Sequence, residues 1–414
     1  MRRVVVVGSG AREHALAWGL AKSADVVVTP GSDGIAAHGI NCVATPATQL
    51  DAELFVIGPE QPLVEGLADL LRAQGKTVVG PGVDGAMLEG SKVFMKEFLA
   101  AAGVPTAAFG SFSDERSALA FLGTMDPPYV IKTDGLAAGK GVLVTDDFDL
   151  AREDVREKLS GAAFGDAGTT VVIEEGLRGE ECSLLFLCDG SGALALAPAK
   201  DYKRVGDGDA GANTGGMGAY APMASMSDEQ VKDVHARVVV PTLDELRRRG
   251  IDFRGVLYAG LMLTQNGPKL LEYNVRFGDP EAEVLVPVFG GDLFDQLLAV
   301  GEGRLGEASV AASGAAVTVV LASHGYPENP RRGDVIDGLG RDGQLAQYVD
   351  GVVVFHAGTK SIAPGVFETA GGRVLAVTAM APTIGEARRR AYEAASLITF
   401  EGKVMRTDIA REAV

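Results

Sequence analysis

Residues 129 to 144, Tyr129-Val130-Ile131-Lys132-Thr133-Asp134-Gly135-Leu136-Ala137-Ala138-Gly139-Lys140-Gly141-Val142-Leu143-Val144, constrain this chain more than any other stretch. Two apolar runs of strand character flank a loop with glycines at 135, 139 and 141, with Lys132 before it and Lys140 inside it. Glycine lets such a loop turn its backbone N–H groups inward, and a lysine on either side adds charge, so the segment suits a polyanion. No Gly-Lys-Ser or Gly-Lys-Thr precedes a helix, so this is not a Walker-type phosphate loop. The expectation is a hairpin folded over a nucleoside triphosphate, set against a plain glycine-rich surface hairpin.

The remaining composition narrows the setting. A chain of 414 residues has room for two to four domains at about 100–200 residues each. With 47% hydrophobic and 22% charged residues it reads as globular, and its 55 glycines follow no three-residue period. A formal charge of −17 without a basic, aromatic-rich cluster argues against nucleic acid as a partner. The start, Met1-Arg2-Arg3-Val4-Val5-Val6-Val7-Gly8, runs directly into a glycine turn, and no apolar run is long enough for a membrane span. Cys42, Cys182 and Cys188 show no metal-ligand spacing. Together these features predict a soluble cytoplasmic protein with reduced, packed thiols.

Read in order, Val4–Val7 is a buried strand that enters Gly8-Ser9-Gly10-Ala11-Arg12-Glu13-His14 and then a helix. That strand, turn and helix N-terminus suits an anion, and Arg12 beside the turn favours a phosphate monoester over a dinucleotide. Strands over 25–28, 54–57 and 77–79, with a helix over 63–71, continue a parallel sheet. Gly58-Pro59-Glu60 falls at its carboxyl edge, where such sheets bind ligands. A helix over 88–99 stops at Gly103, with Lys92 and Lys96 one turn apart, either both facing solvent or one reaching a nucleotide. Beyond the hairpin, 148–159 reads as a helix, 161–168 as a loop able to close over a triphosphate, and 170–177 as a strand ending in Glu174-Glu175-Gly176-Leu177. A strand end of that kind can offer backbone groups to a base and a carboxylate to a ribose.

Residues 200–220 read as a long, glycine-laden binding loop, and 231–248 as a helix whose arginines 247–249 are structural. The densest chemistry lies in Glu272-Tyr273-Asn274-Val275-Arg276-Phe277-Gly278-Asp279-Pro280-Glu281. On an extended strand Glu272, Asn274 and Arg276 share a side: the acid and amide oxygens suit Mg2+, and the guanidinium counters developing negative charge. Strands from 316 and 373 and a helix over 383–396 form a last α+β unit, within which His356 is either a core residue or a substrate contact.

Taken together and in order, these motifs resemble the phosphoribosylamine–glycine ligases, or glycinamide ribonucleotide synthetases, of the ATP-grasp superfamily. The resemblance runs nearly end to end, from Gly8-Ser9-Gly10-Ala11-Arg12-Glu13-His14 through Leu88-Glu89-Gly90-Ser91-Lys92, the lysine hairpin and Asn213-Thr214-Gly215-Gly216-Met217-Gly218-Ala219-Tyr220 to Phe355-His356-Ala357-Gly358-Thr359-Lys360. It implies an N-terminal parallel α/β domain (1–103), central ATP-grasp domains (104–315, with a mobile subdomain near 123–190) and a small C-terminal α+β domain (316–414). The implied reaction joins glycine to 5-phosphoribosylamine with ATP and Mg2+, Mn2+ being the alternative metal, through glycyl phosphate in purine synthesis. A monomer is expected in preference to a dimer.

By position, Lys96, Lys132 and Lys140 with Gly135, Gly139 and Gly141 would hold the phosphates. Glu174, Glu175 and Leu177 would meet adenine, Glu181 the ribose in preference to Glu180, and Glu272 and Asn274 the metal. Gly8, Gly10, Arg12, Glu13, Gly58, Pro59 and Glu60 would take the phosphoribosyl end, with His356, Gly358 and Thr359 closing that pocket. Asp201, Lys203, Gly216, Met217, Asp279 and Pro280 would contact substrate, while Arg276 and Lys140 would act in catalysis. Two departures stand out: Ala199-Lys200 where the family usually has Ser-Gln, and Ala212 where proline is common.

Overall fold

A computed structural model of the chain describes residues 2–135, 141–161, 170–306 and 310–414. Its first unit alternates β1 (Arg3–Gly8), α1 (Ala11–Leu20), β2 (Asp25–Pro30), α2 (Asp33–Ala37), β3 (Asn41–Cys42), β4 (Leu54–Ile57), α3 (Glu60–Val64), α4 (Leu67–Ala73) and β5 (Val78–Val79). All five strands are parallel, in the order β3-β2-β1-β4-β5. Val4, Val5, Val6, Leu54, Phe55 and Val56 are almost completely buried, as continuous apolar strands covered on both faces must be. The chain leaves β1 in opposite directions along the sheet, so a crevice opens at the carboxyl ends of β1 and β4, beside Gly8 and Gly58.

Two helices expected as single units are divided. The one over 63–71 becomes α3 and α4, parted by Gly66 at φ 86°, where only glycine turns without strain. The one over 88–99 becomes the end of α5 (Val83–Gly90) and α6 (Lys92–Ala102). Ser91 is extended between them and its hydroxyl accepts from Phe94 N–H, so capping wins over continuation. Helix α6 ends on Gly103 in the left-handed region, as the sequence predicts.

Next come β6 (Phe109–Phe112), α7 (Glu115–Leu122), β7 (Tyr129–Thr133), β8 (Val142–Thr145), α8 (Phe148–Leu159) and β9 (Val171–Glu175). They make an antiparallel sheet, β6-β9-β7-β8, with its own core of Leu122, Ile131, Val155 and Ile173 beneath the two helices. The lysine hairpin is thus β7 and β8, paired from Tyr129↔Thr145 to Lys132↔Val142.

The following segment holds β10 (Glu180–Asp189), β11 (Ala193–Ala195), β12 (Lys200–Asp201), β13 (Arg204–Gly206), β14 (Ala210–Asn213) and β15 (Gly218–Ala221). Stretch 200–220 is therefore mostly strand and not open loop. Its glycines hide the alternation that marks strands, and its pairing comes from distant partners. Helices α9 (Asp228–Val234) and α10 (Val240–Arg248) join through a π turn over His235–Val239. Pro241 has no N–H for the Arg237 carbonyl, which accounts for the wider turn. Arginines 247–249 pair with Asp244 and Glu245 on the same helix, a structural role as expected.

Strands β16 (Arg254–Thr264) and β17 (Gly267–Asn274) complete a second antiparallel sheet, β11-β10-β16-β17. After α11 (Ala282–Leu285) and α12 (Leu293–Glu302), the last unit contains β18 (Ala315–Ala322), β19 (Val335–Ile336), β20 (Val352–His356), β21 (Thr359–Ala363), β22 (Val366–Thr369), β23 (Arg373–Ala381) and α13 (Ile384–Leu397). Its main sheet, β12-β15-β18-β23-β20, takes β12 and β15 from the middle of the chain, tying the predicted binding loop to the C-terminal unit. The result is a multidomain α/β and α+β architecture. Among the described residues no helix is long and apolar enough to cross a membrane.

Candidate active site

The site is built on one face of the β10-β16-β17 sheet. Ser183 pairs with Gly260, Gly260 with Glu272, and Tyr258 with Asn274. Directly opposed residues point to the same face and side chains alternate along a strand, so Glu181, Ser183, Tyr258, Glu272 and Asn274 share one surface. Gly260 leaves its centre open: a Cβ there would lie 3.3 Å from Glu272 Cγ. Burial pushes the Glu272 carboxyl up, but Lys203, Lys132, Lys92 and Arg276 outweigh it and hold the group below its ordinary value. An ionised carboxylate and an amide oxygen side by side fit a hard divalent ion that takes its remaining oxygens from phosphate and water, while the surrounding cations suit the phosphates themselves.

Helix α6 supplies Lys96 and strand β7 supplies Lys132. Lys96 Nζ lies 2.8 Å from Glu174 Oε2 and Lys132 Nζ 2.9 Å from Glu174 Oε1, all three side chains being buried. Lys96 also donates to Thr106 Oγ1 at 2.8 Å. Two lysines share one carboxylate, which leaves an excess positive charge out of contact with water. Burial lowers the Lys96 pKa to about 8 although Glu174 raises it. Lys92, the other lysine on this helix, donates to Gly135 O at 3.0 Å, and Ser91 Oγ and Val93 N–H both donate to Asp134. The first half of the hairpin is thereby fastened to the start of α6. Gly139, Lys140 and nearly all of loop 161–168 lie outside the described residues.

At the strand end, Glu175 accepts from Ala108 N–H and stands 3.6 Å from Lys269, with Leu177 half-buried beyond it. Glu181 is exposed and pairs with Lys203 at 3.1 Å, whereas Glu180 pairs with Lys200 at 2.9 Å. Lys200, one of the two departures, also holds Glu412 at 2.8 Å and so binds β12 to the C-terminal tail.

At the sheet crevice, the backbone N–H groups expected to await an anion already have one. Glu13 Oε2 accepts from Gly10 N–H at 2.7 Å and Ser9 N–H at 3.2 Å, while Arg12 Nε donates to Glu13 Oε1 at 2.6 Å. The glycines make this fit possible, because a Cβ on Gly58 would fall 2.1 Å from Glu13 Oε1 and one on Gly8 2.5 Å from Glu13 Cδ. Pro59 precedes α3, whose first residue, Glu60, lies 3.9 Å from Arg12 and 3.3 Å from Arg276. Arg276 follows the end of β17 and is held by Glu89 at 2.7 Å and Asn274 Oδ1 at 3.3 Å. The structure therefore joins Asn274, Arg276 and the phosphoribosyl candidates Glu60, Arg12 and Glu13 in one continuous chain of contacts.

The far wall is Gly216, Met217, Asp279 and Pro280. Gly216 has φ 114°, and a Cβ on it would sit 2.4 Å from Pro280 Cδ. Arg373 binds both sides of this wall, donating to Gly215 O at 2.6 Å and pairing with Asp279 Oδ1 at 2.9 Å. His356 is fully enclosed: Nε2 donates to Gly343 O at 2.7 Å, Nδ1 accepts from Thr359 Oγ1 at 2.8 Å, and its backbone N–H donates to His14 Nδ1 at 2.9 Å. It bridges the first and last units, close beside Gly34 of α2. Gly358 accepts from Ala370 N–H and closes the turn between β20 and β21.

Glu89, Arg373, Ser183 and Tyr258 were not foreseen as site residues. Glu89 lies three residues before Lys92 inside a recognised motif, so a signal existed; the other three sit in ordinary strand sequence and gave none.

Models of the phosphoribosylglycinamide synthetase N domain, ATP-grasp (A) domain and C domain match residues 2–89, 90–282 and 316–412. The chain belongs to the phosphoribosylglycinamide synthetase family. It is 45% identical to the phosphoribosylamine–glycine ligase of Brucella melitensis, over 100% of this chain and 98% of that protein. It is 46% identical to the Mesorhizobium japonicum protein of the same name, over 99% and 98% respectively. The crystal structure of phosphoribosylamine–glycine ligase from Thermotoga maritima superposes with a TM-score of 0.83 at 36% identity, covering 99% of this chain and 100% of that one.

Proposed function

We infer that this chain joins glycine to 5-phosphoribosylamine at the expense of ATP, giving glycinamide ribonucleotide, ADP and phosphate. Family membership over the whole length carries the reaction. The shared sheet face bearing Glu181, Glu272 and Asn274 opposite Lys96 and Lys132 supports the assignment of roles.

A carboxylate is a poor acyl donor because its leaving group would be an oxide. Transfer of the γ-phosphoryl group to glycine makes glycyl phosphate, whose carbonyl an amine can attack. Lys96 and Lys132 neutralise phosphate oxygens, Glu181 holds the ribose, and the end of β9 meets adenine. Glu272 and Asn274 would hold Mg2+, or Mn2+ in its place, which when bound screens charge on the phosphates. Arg276, fixed by Glu89, faces the acyl centre and stabilises the tetrahedral oxyanion or the departing phosphate. The phosphoribosyl end lies against Arg12 and the Gly8 and Gly58 turns, walled by Asp279 and Pro280. The three cysteines are free thiols, which agrees with a cytoplasmic enzyme.

A substrate panel tests this reading. ADP release should require glycine and phosphoribosylamine together; release instead with bicarbonate and aminoimidazole ribonucleotide would reassign the chain to the carboxyaminoimidazole ribonucleotide synthetases.

A further inference from the structure

Between Glu181 and Glu272 on the site's sheet face lies a hydrogen-bonded group of which only Asp201, as a substrate contact, has a role above. Ser183 Oγ stands 2.8 Å from Tyr258 Oη, 3.2 Å from Glu281 Oε1 and 3.4 Å from Asp201 Oδ1. Tyr258 Oη donates to the same Glu281 oxygen at 2.9 Å. Ser183, Tyr258 and Glu281 are buried, while Asp201, at the edge on β12, keeps some exposure.

Counting protons gives the group a direction. Four oxygen–oxygen contacts are present, but the two hydroxyls provide only two protons. With both carboxyls ionised the chain is short of donors; one added proton on Asp201 lets it donate to Ser183, Ser183 to Tyr258 or Glu281, and Tyr258 to Glu281. Such a group takes up one proton readily at its less buried end, Asp201. The charged neighbours of Asp201 agree: burial pushes its carboxyl up, Lys203 opposes this, and Glu281 and Glu181 add to the rise. Of the other acids of this region, Glu180 is held by Lys200, Glu272 is held low by Lys203, Lys132, Lys92 and Arg276, and Glu283, beside Glu281, is pushed up by burial.

The reaction has a proton to dispose of. When the amine nitrogen attacks glycyl phosphate, its lone pair forms the C–N bond and the nitrogen becomes cationic. The C–O bond to phosphorus breaks with its electron pair on the departing phosphate, and the nitrogen must lose one proton to become the amide.

We propose that Asp201 accepts this proton from the attacking nitrogen, and that Ser183 and Tyr258 share it with Glu281. Asp201 is then a catalytic base for amide formation, and Ser183 and Glu281 are positioning residues. The proposal rests on the glycyl phosphate reading and concerns only its second half.

The test therefore separates the halves. Reversible glycyl phosphate formation is read as glycine-dependent scrambling of bridge oxygen-18 in labelled ATP without the amine, and amide formation as product with it. In Asp201→Asn, the ratio of amide formation to scrambling should fall roughly a hundredfold, the scale of a lost general base. In Ser183→Ala, which keeps Asp201, the acid limb of the pH profile for amide formation should move. A D201N variant that loses both reactions in proportion, or keeps amide formation, overturns the proposal, as does an unmoved S183A profile. Absence of scrambling in the unaltered protein would instead count against glycyl phosphate itself.

Discussion

Replacing Glu174 by glutamine should expose the electrostatic strain stored at the nucleotide site. Glu174 is the shared counter-ion of two buried lysines, at 2.8 and 2.9 Å. An amide keeps the shape and can accept a hydrogen bond, but it removes the charge. Leaving a buried charge without its partner costs about 3–5 kcal/mol. Part of that is relieved because Lys96, already at about 8, sheds its proton more easily once Glu174 no longer holds it up. The sign of the pH effect follows. An unfolded lysine near 10.4 binds a proton that the folded, depressed one gives up, so stability rises with pH in that window and falls below it. The deficit of E174Q should be about 3 kcal/mol near pH 7 and smaller near pH 9.5. It should shrink further with a non-hydrolysable ATP analogue, whose phosphates replace the missing charge, than with adenosine. Urea unfolding midpoints, measured at both pH values with each ligand, read this directly. Midpoints equal to those of the unaltered protein, or a deficit indifferent to pH and to the phosphates, would refute the argument.

Other consequences can be measured separately. Arg276→Ala should lower turnover roughly 10²–10³-fold with ATP affinity changed only a few-fold, because its contacts belong to the transition state; steady-state kinetics with equilibrium nucleotide binding check this, and a matching loss of affinity would contradict it. Gly58→Ala places a Cβ 2.1 Å from Glu13 Oε1, so Glu13 must leave the turn; about 1–3 kcal/mol of stability should be lost and KM for phosphoribosylamine should rise, and an unchanged KM would dissociate this turn from substrate. His356 is lowered to about 4 chiefly by burial, so between its unfolded value near 6.5 and 4 the unfolded chain binds the extra proton. About 3 kcal/mol of stability, full above pH 6.5, should drain away as pH falls through that range, and His356→Gln should flatten the acid side of a thermal-stability profile.

The sequence carried the parallel strands of the first unit, the lysine hairpin and the Glu272–Asn274 pair, because each is encoded locally by apolar runs, glycines or a two-residue period. Helix breaks at Gly66 and Ser91 were within reach of the same reasoning, since glycine breaks helices and serine caps their starts, but the apolar spacing across them was the stronger cue. Stretch 200–220 was not legible, as β12 and β15 are strands only by pairing into a sheet whose other members begin at Ala315. The same holds for Arg373, which braces Gly215 and Asp279 from far along the chain. Even Glu13, visible in its motif, has a geometry that sequence could not give: its carboxylate occupies the turn whose N–H groups seemed free for a ligand.

The central claim is that glycine's carboxylate is activated by phosphoryl transfer within this site. Glycine labelled with oxygen-18 in both carboxylate oxygens, incubated with ATP, Mg2+, phosphoribosylamine and the protein, tests it in one measurement. Mass analysis of the released phosphate should find one labelled oxygen per molecule of glycinamide ribonucleotide formed. Product and ADP formed with no label in the phosphate would contradict the account.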